Sequence, residues 1–153
     1  MIKEAYDKLK KEHPALPDFD KINKEFELEM LETDKFLLRH IKRKIAERFE
    51  PVLDIIEHSI NPDPNSFSDM YECRCFKNSE KRQVLDIFRH LMEQYRSLLE
   101  TDLIGDDKID AETIKKIYGV WVTEKKQLIE LLKNIRECWQ KHVEPKEILE
   151  YLG

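Results

Sequence analysis

Two thiols one residue apart, Cys73-Arg74-Cys75, are the first side chains whose type and spacing could do chemistry. Thiolates bind zinc, and His58, His90 or Cys138 could complete a tetrahedral set with Cys73 and Cys75. The spacing weakens this reading, because zinc knuckles separate their paired cysteines by more than one residue. Two ordinary loop cysteines are the competing reading. The second candidate is a run of cations. Lys35, Arg39, Lys42, Arg43, Lys44 and Arg48 fall within fourteen residues that contain one interspersed glutamate, Glu47. On a helix Lys35, Arg39, Lys42 and Arg43 share one flank of an apolar stripe, and such a row can hold phosphates. Against that, Glu50, Asp54 and Glu57 continue the flank and dilute its field, and Arg43/Glu47 at i,i+4 suits a solvated helix edge. Aromatic interleaving of the kind that stacks bases is not evident.

Catalytic patterns are missing. The chain has no GxxxxGK[ST], GxGxxG or HExxH, and no histidine follows a glutamate by three residues, as a four-helix di-iron site requires. No nucleophile elbow points to a Ser/His/Asp triad. The expectation is a non-enzyme with no catalytic residue and no cofactor.

Long helices must position whatever does act. The 153 residues suffice for one domain with a core. Charged residues make up 39% and hydrophobic ones 41%, with three glycines and six prolines. Such a composition excludes glycine-rich phosphate loops and hairpin-dense β folds. A net charge of −5 rules out bulk attraction to polyanions. Ile2, Ala5, Tyr6 and Leu9 outline a first short helix, stopped by Pro14 and Pro17. Asp18 is a candidate N-cap for a second, with Phe19, Ile22, Phe26 and Met30 on one face. From about Thr33 to Ile60 apolar residues step by threes and fours, and Pro51 lies in phase inside them. That predicts one helix kinked at Pro51.

Asn61 to Ser66 is a breaker, and Phe67 to Lys77 reads equally as a helical turn or a loop. A stripe from Val84 to Leu99, capped at Ser79 and ended at Gly105, predicts the next long helix. Asp110 reads as the cap of the last one, over about 111–142, whose core face includes Trp121 and Leu128 with Lys125 between them. A final turn after Pro145 docks Ile148, Leu149 and Leu152. The expected fold is all-α: an antiparallel bundle of three long helices plus shorter ones, forming a single domain over 1–153. The last long helix has apolar shoulders beside its central stripe. Val122 and Ile129 lie on one, Val120 and Leu131 on the other, so these four are candidate interface residues.

The stretch Glu4-Ala5-Tyr6 through His13-Pro14-Ala15-Leu16-Pro17-Asp18-Phe19 resembles the opening helix and proline break of GINS subunits. So does Phe36-Leu37-Leu38-Arg39-His40-Ile41-Lys42-Arg43 with Arg48-Phe49-Glu50, against that family's Arg-rich third helix, and Ser79-Glu80 with the stripe to Leu99, against its fourth. The resemblance covers roughly residues 4–103, so 1–104 reads as a GINS-like part and 108–153 as a helical extension in place of the family's small β domain. It implies a scaffold in the DNA replication machinery that works by packing against other subunits. The expected partners are therefore another protein or a second copy, with weak nucleic-acid binding through Lys35, Arg39, Lys42 and Arg43 as the alternative.

No apolar leader and no run of about 18 apolar residues appear, so no membrane partner is expected. Three cysteines do not make a disulfide scaffold, which suggests a reduced compartment, the cytoplasm or, in a eukaryote, the nucleus.

Overall fold

Each long apolar stripe is a helix in the computed structural model, which describes residues 1–141. The order is α1 (Ile2–Glu12), α2 (Phe19–Phe26), a 3-10 turn (Leu28–Met30), α3 (Leu37–Ile60), α4 (Phe67–Cys73), α5 (Asn78–Ile104) and α6 (Asp107–Trp139). No strand occurs among the described residues, so the fold is an all-α helical bundle. The expected turn after Pro145 lies outside the described residues.

Two compact units share the helices. Unit 1 comprises residues 1–51 and 91–122; unit 2 comprises 52–90 and the chain from Thr123 onward. Helices α3, α5 and α6 each contribute to both units.

Unit 1 is built on large side chains. Tyr6 and Phe19 meet edge to face, and Tyr6 donates its hydroxyl hydrogen bond to the Pro17 carbonyl at 2.6 Å. Burial first, and then nearby Asp18, Asp7 and Tyr118, hold that phenol above its usual titration range. Phe49 stacks on Trp121 with centroids 5.1 Å apart, and Trp121 donates from Nε1 to Glu25 at 2.9 Å. Helix α2 ends earlier than its stripe suggests. Glu27 adopts a left-handed conformation (φ 54°), which resets the register so that Leu28 is buried and Met30 is exposed. Asp18 does sit at the N-cap of α2, yet its carboxylate is held by Lys10 and Lys21 instead of the helix amides.

Helix α3 runs through Pro51 as one element. Pro51 is exposed and supplies no amide proton to the preceding turn. Pro51→Ala should leave stability unchanged or raise it by up to about 1 kcal/mol, read from urea unfolding.

Unit 2 closes with an aromatic clasp and a covalent one. Trp139 packs on Tyr71 with centroids 4.3 Å apart and donates from Nε1 to Glu72 at 3.1 Å. The Tyr71 hydroxyl donates to the Cys138 carbonyl. Cys75 and Cys138 form a disulfide across 63 residues of sequence. Three cysteines alone did not announce this bond, which leaves Cys73 as the free thiol. No described helix is long and apolar enough to cross a membrane. The ambiguous stretch after Ser66 is resolved as helix α4, whose Asp69 amide donates to the Ser66 hydroxyl at 3.3 Å.

Candidate protein-docking site

A buried cation organises one corner of unit 1. Lys42, on α3, is 2% exposed. Its Nζ lies 2.8 Å from Asp102 on α5 and 2.8 Å from Asp110 on α6, and it donates to the Thr101 hydroxyl at 3.3 Å. Placing an ammonium group out of water is costly unless its protons find acceptors, and here three oxygens supply them. Lys42 is therefore a tie between three helices and cannot meet a phosphate, which corrects its expected place in a nucleic-acid stripe. Asp110 is likewise not the cap of α6. Asp106 holds that position, accepting from the Ile109 amide at 3.0 Å, and Asp110 is a turn further in with its carboxylate on Lys42.

The turn above this tie is short. Gly105 takes a left-handed conformation (φ 69°) and donates its amide to the Thr101 carbonyl, the geometry that ends a helix where a side chain would be strained. Only Gly105 and Asp106 separate α5 from α6. With Thr101 and Asp102 turned to Lys42, the outer face of the last α5 turns carries Leu99, Leu103 and Ile104. They are 53%, 90% and 51% exposed.

Phe36 completes the corner. It precedes α3, and its carbonyl accepts from the His40 amide at 3.1 Å. Its φ of 52° is left-handed, a conformation costing about 1–3 kcal/mol for a side chain of this kind. Burial does not offset that strain, because Phe36 is 73% exposed. The Arg39 guanidinium lies 5.5 Å from its ring centre. Phe36, Arg39 and Gly105, with Leu9, Leu38 and Asp110, line a cavity of about 290 Å3. An outward aromatic beside an arginine has the composition of an interface anchor.

Other expected residues are placed differently. Lys35, Arg39 and Arg43 are exposed and remain a row of three cations. Of the four α6 shoulder residues, Val122 and Ile129 are exposed and Val120 is half-buried. Leu131 is buried at 5% and is corrected from interface to core. The pairing of Cys75 with Cys138 takes Cys75 from the expected zinc pair. Cys73 keeps its thiol, with the Lys81 Nζ 3.4 Å from the sulfur. Among the described residues no group of three or more His, Cys, Asp or Glu side chains is placed to hold a metal ion.

Unit 2 has its own groove of about 700 Å3 between α5 and α6. Its apolar lining, Phe76, Val84, Ile87 and Leu131, is already buried. One polar pair stands out there: buried Glu124 meets His90 Nδ1 at 2.9 Å. Carboxylate and imidazole in this arrangement orient each other.

No family model, no curated protein and no solved structure matches the chain.

Proposed function

We propose that this chain is a non-catalytic helical scaffold that works by docking another protein surface on the corner formed by Phe36, Leu99, Leu103 and Ile104. The observation that carries this reading is the 90% exposure of Leu103, with Leu99 and Ile104 also exposed at the end of α5 and a strained, outward-facing Phe36 just before α3. Folding gains nothing from leaving either side chain in water; an interface that buried them would gain about 1.5–3 kcal/mol for each. The tie at Lys42 fastens α3 to the end of α5 and the start of α6, the elements that carry these side chains. A role as a GINS-like subunit of the replication machinery is compatible with this scaffold and rests on the sequence resemblance alone. The nucleic-acid alternative is weakened, since Lys42 is withdrawn and Asp34 and Asp107 line the cavity beside Arg39.

A photo-crosslinking amino acid placed at residue 103 in the producing cell tests the reading. The expected result is one or a few defined protein adducts from position 103 and none from Lys133, an exposed site on α6. Adducts from position 133 or 129 with none from 103 would overturn it.

A further inference from the structure

We propose that the groove between α5 and α6 in unit 2 binds a linear aliphatic polyamine. This site is separate from the corner of unit 1 and does not depend on it. The groove holds about 700 Å3, the size of a small-molecule site. It runs from Glu80 to His90 on α5 and from Glu124 to Asn134 on α6, so it is about 15 Å long at the rise of a helix. The contact of His90 with Glu124 marks one end. Counted along the helix axes from that contact, further carboxylates stand at about 6 Å (Asp86), 9 Å (Glu130) and 15 Å (Glu80). The floor between them is apolar: Val84, Ile87 and Leu131 are each 5% exposed. Among the described residues Lys126 is the one lysine or arginine of the lining, so four carboxylates give the groove a negative field. A compact metal ion does not use it, because the acids are strung along the groove and no three of them converge among the described residues. A cation that does use it must be long and partly apolar. The ammonium groups of a polyamine stand three or four methylenes apart, close to the pitch of a helical turn at about 5.4 Å. Successive ammonium groups then meet successive carboxylates, and the methylenes between them cover the floor. Glu124 anchors the ligand. It is 9% exposed, and a charge-assisted hydrogen bond is strongest at an acceptor held out of water.

Equilibrium dialysis of radiolabelled spermidine against the full chain at low ionic strength tests this. One spermidine should bind per chain. Glu124→Gln, and Glu80→Gln combined with Glu130→Gln, should each weaken binding more than tenfold. Glu12→Gln, at an exposed acid on α1, should leave it unchanged. Lys126→Gln should tighten binding severalfold, a gain that partial unfolding does not produce. Circular dichroism checks that the variants fold, and Glu130, being exposed, keeps the test decisive if Glu124→Gln does not. Magnesium ion, doubly charged but without methylenes, should displace spermidine only at a concentration more than tenfold higher. A chain that binds no spermidine overturns the proposal. Binding that both groove variants leave intact, or that magnesium displaces at equal concentration, overturns it too, since either result is counterion attraction to the acidic chain as a whole. An oligolysine peptide bound where spermidine is not would make the groove a protein site and overturn it as well.

Discussion

Lys42→Met should lower the stability of the protein by about 3–5 kcal/mol, one of the largest single effects expected in the chain. Methionine fills the volume of the lysine stem, so packing is largely kept. What is lost is the positive charge between Asp102 and Asp110. Asp110 is 6% exposed and would be left as a buried carboxylate without a counter-charge. Asp102 reaches solvent and suffers less. Removing both ends of the buried pair, Lys42→Met with Asp110→Leu, should recover most of the loss, because the desolvation cost goes with the charges. Urea unfolding of the two variants checks it. A Lys42→Met chain within about 0.5 kcal/mol of the parent, as for an ordinary surface substitution, would mean that the ammonium group is solvated and the corner is not tied.

Breaking the disulfide should cost a similar amount. The Cys75–Cys138 bond closes 63 residues, for which the chain-entropy account gives about 4 kcal/mol. Cys138→Ser should therefore lower the melting temperature by several degrees, and a reductant should do the same to the parent chain. The aromatic clasp of Phe67, Tyr71 and Trp139 stays when the bond is broken, so α4 should remain helical at low temperature. Cys73→Ser serves as the control, since Cys73 is outside the bond. A melting temperature indifferent to both reductant and Cys138→Ser would contradict the covalent clasp.

The helices were legible because their signals are local. Ile41, Ile45, Phe49 and Ile56 form a stripe that no other element has to explain, and all four are buried; Val52, read on the same stripe, is half-buried, and Leu53 beside it takes the core position. The end of α2 was not, since nothing in Glu27-Leu28 announces a left-handed glutamate; the consequence is that Met30 and Leu28 exchange places. The site was less legible than the fold for a related reason. Lys42 reads as one more cation in a basic row, and only the return of α5 and α6 shows it between two carboxylates. A usable hint was present: Asp110 stands four residues before Ile114 and seven before Ile117, on the apolar face of α6, where an acid needs a buried partner. Phe36 shows the opposite case. It falls inside the helix read from about Thr33, yet α3 begins at Leu37, and a positive φ, which local pattern does not encode for phenylalanine, leaves it outside the helix and exposed. The disulfide was hidden because pairing depends on which loops the fold brings together, and the short spacing of Cys73 and Cys75 drew attention to each other instead.

Photo-crosslinking from position 104 in three chains tests most directly whether the corner of unit 1 is the docking surface: the parent, Leu103→Asp and Ile129→Asp. Both substituted residues are exposed leucine or isoleucine, so both variants should fold with stability within about 0.5 kcal/mol of the parent. The account predicts the same defined protein adducts from the parent and the Ile129→Asp chain, and their loss from the Leu103→Asp chain. A Leu103→Asp chain that keeps the parent's adducts while Ile129→Asp loses them would place the interface on α6 and contradict it.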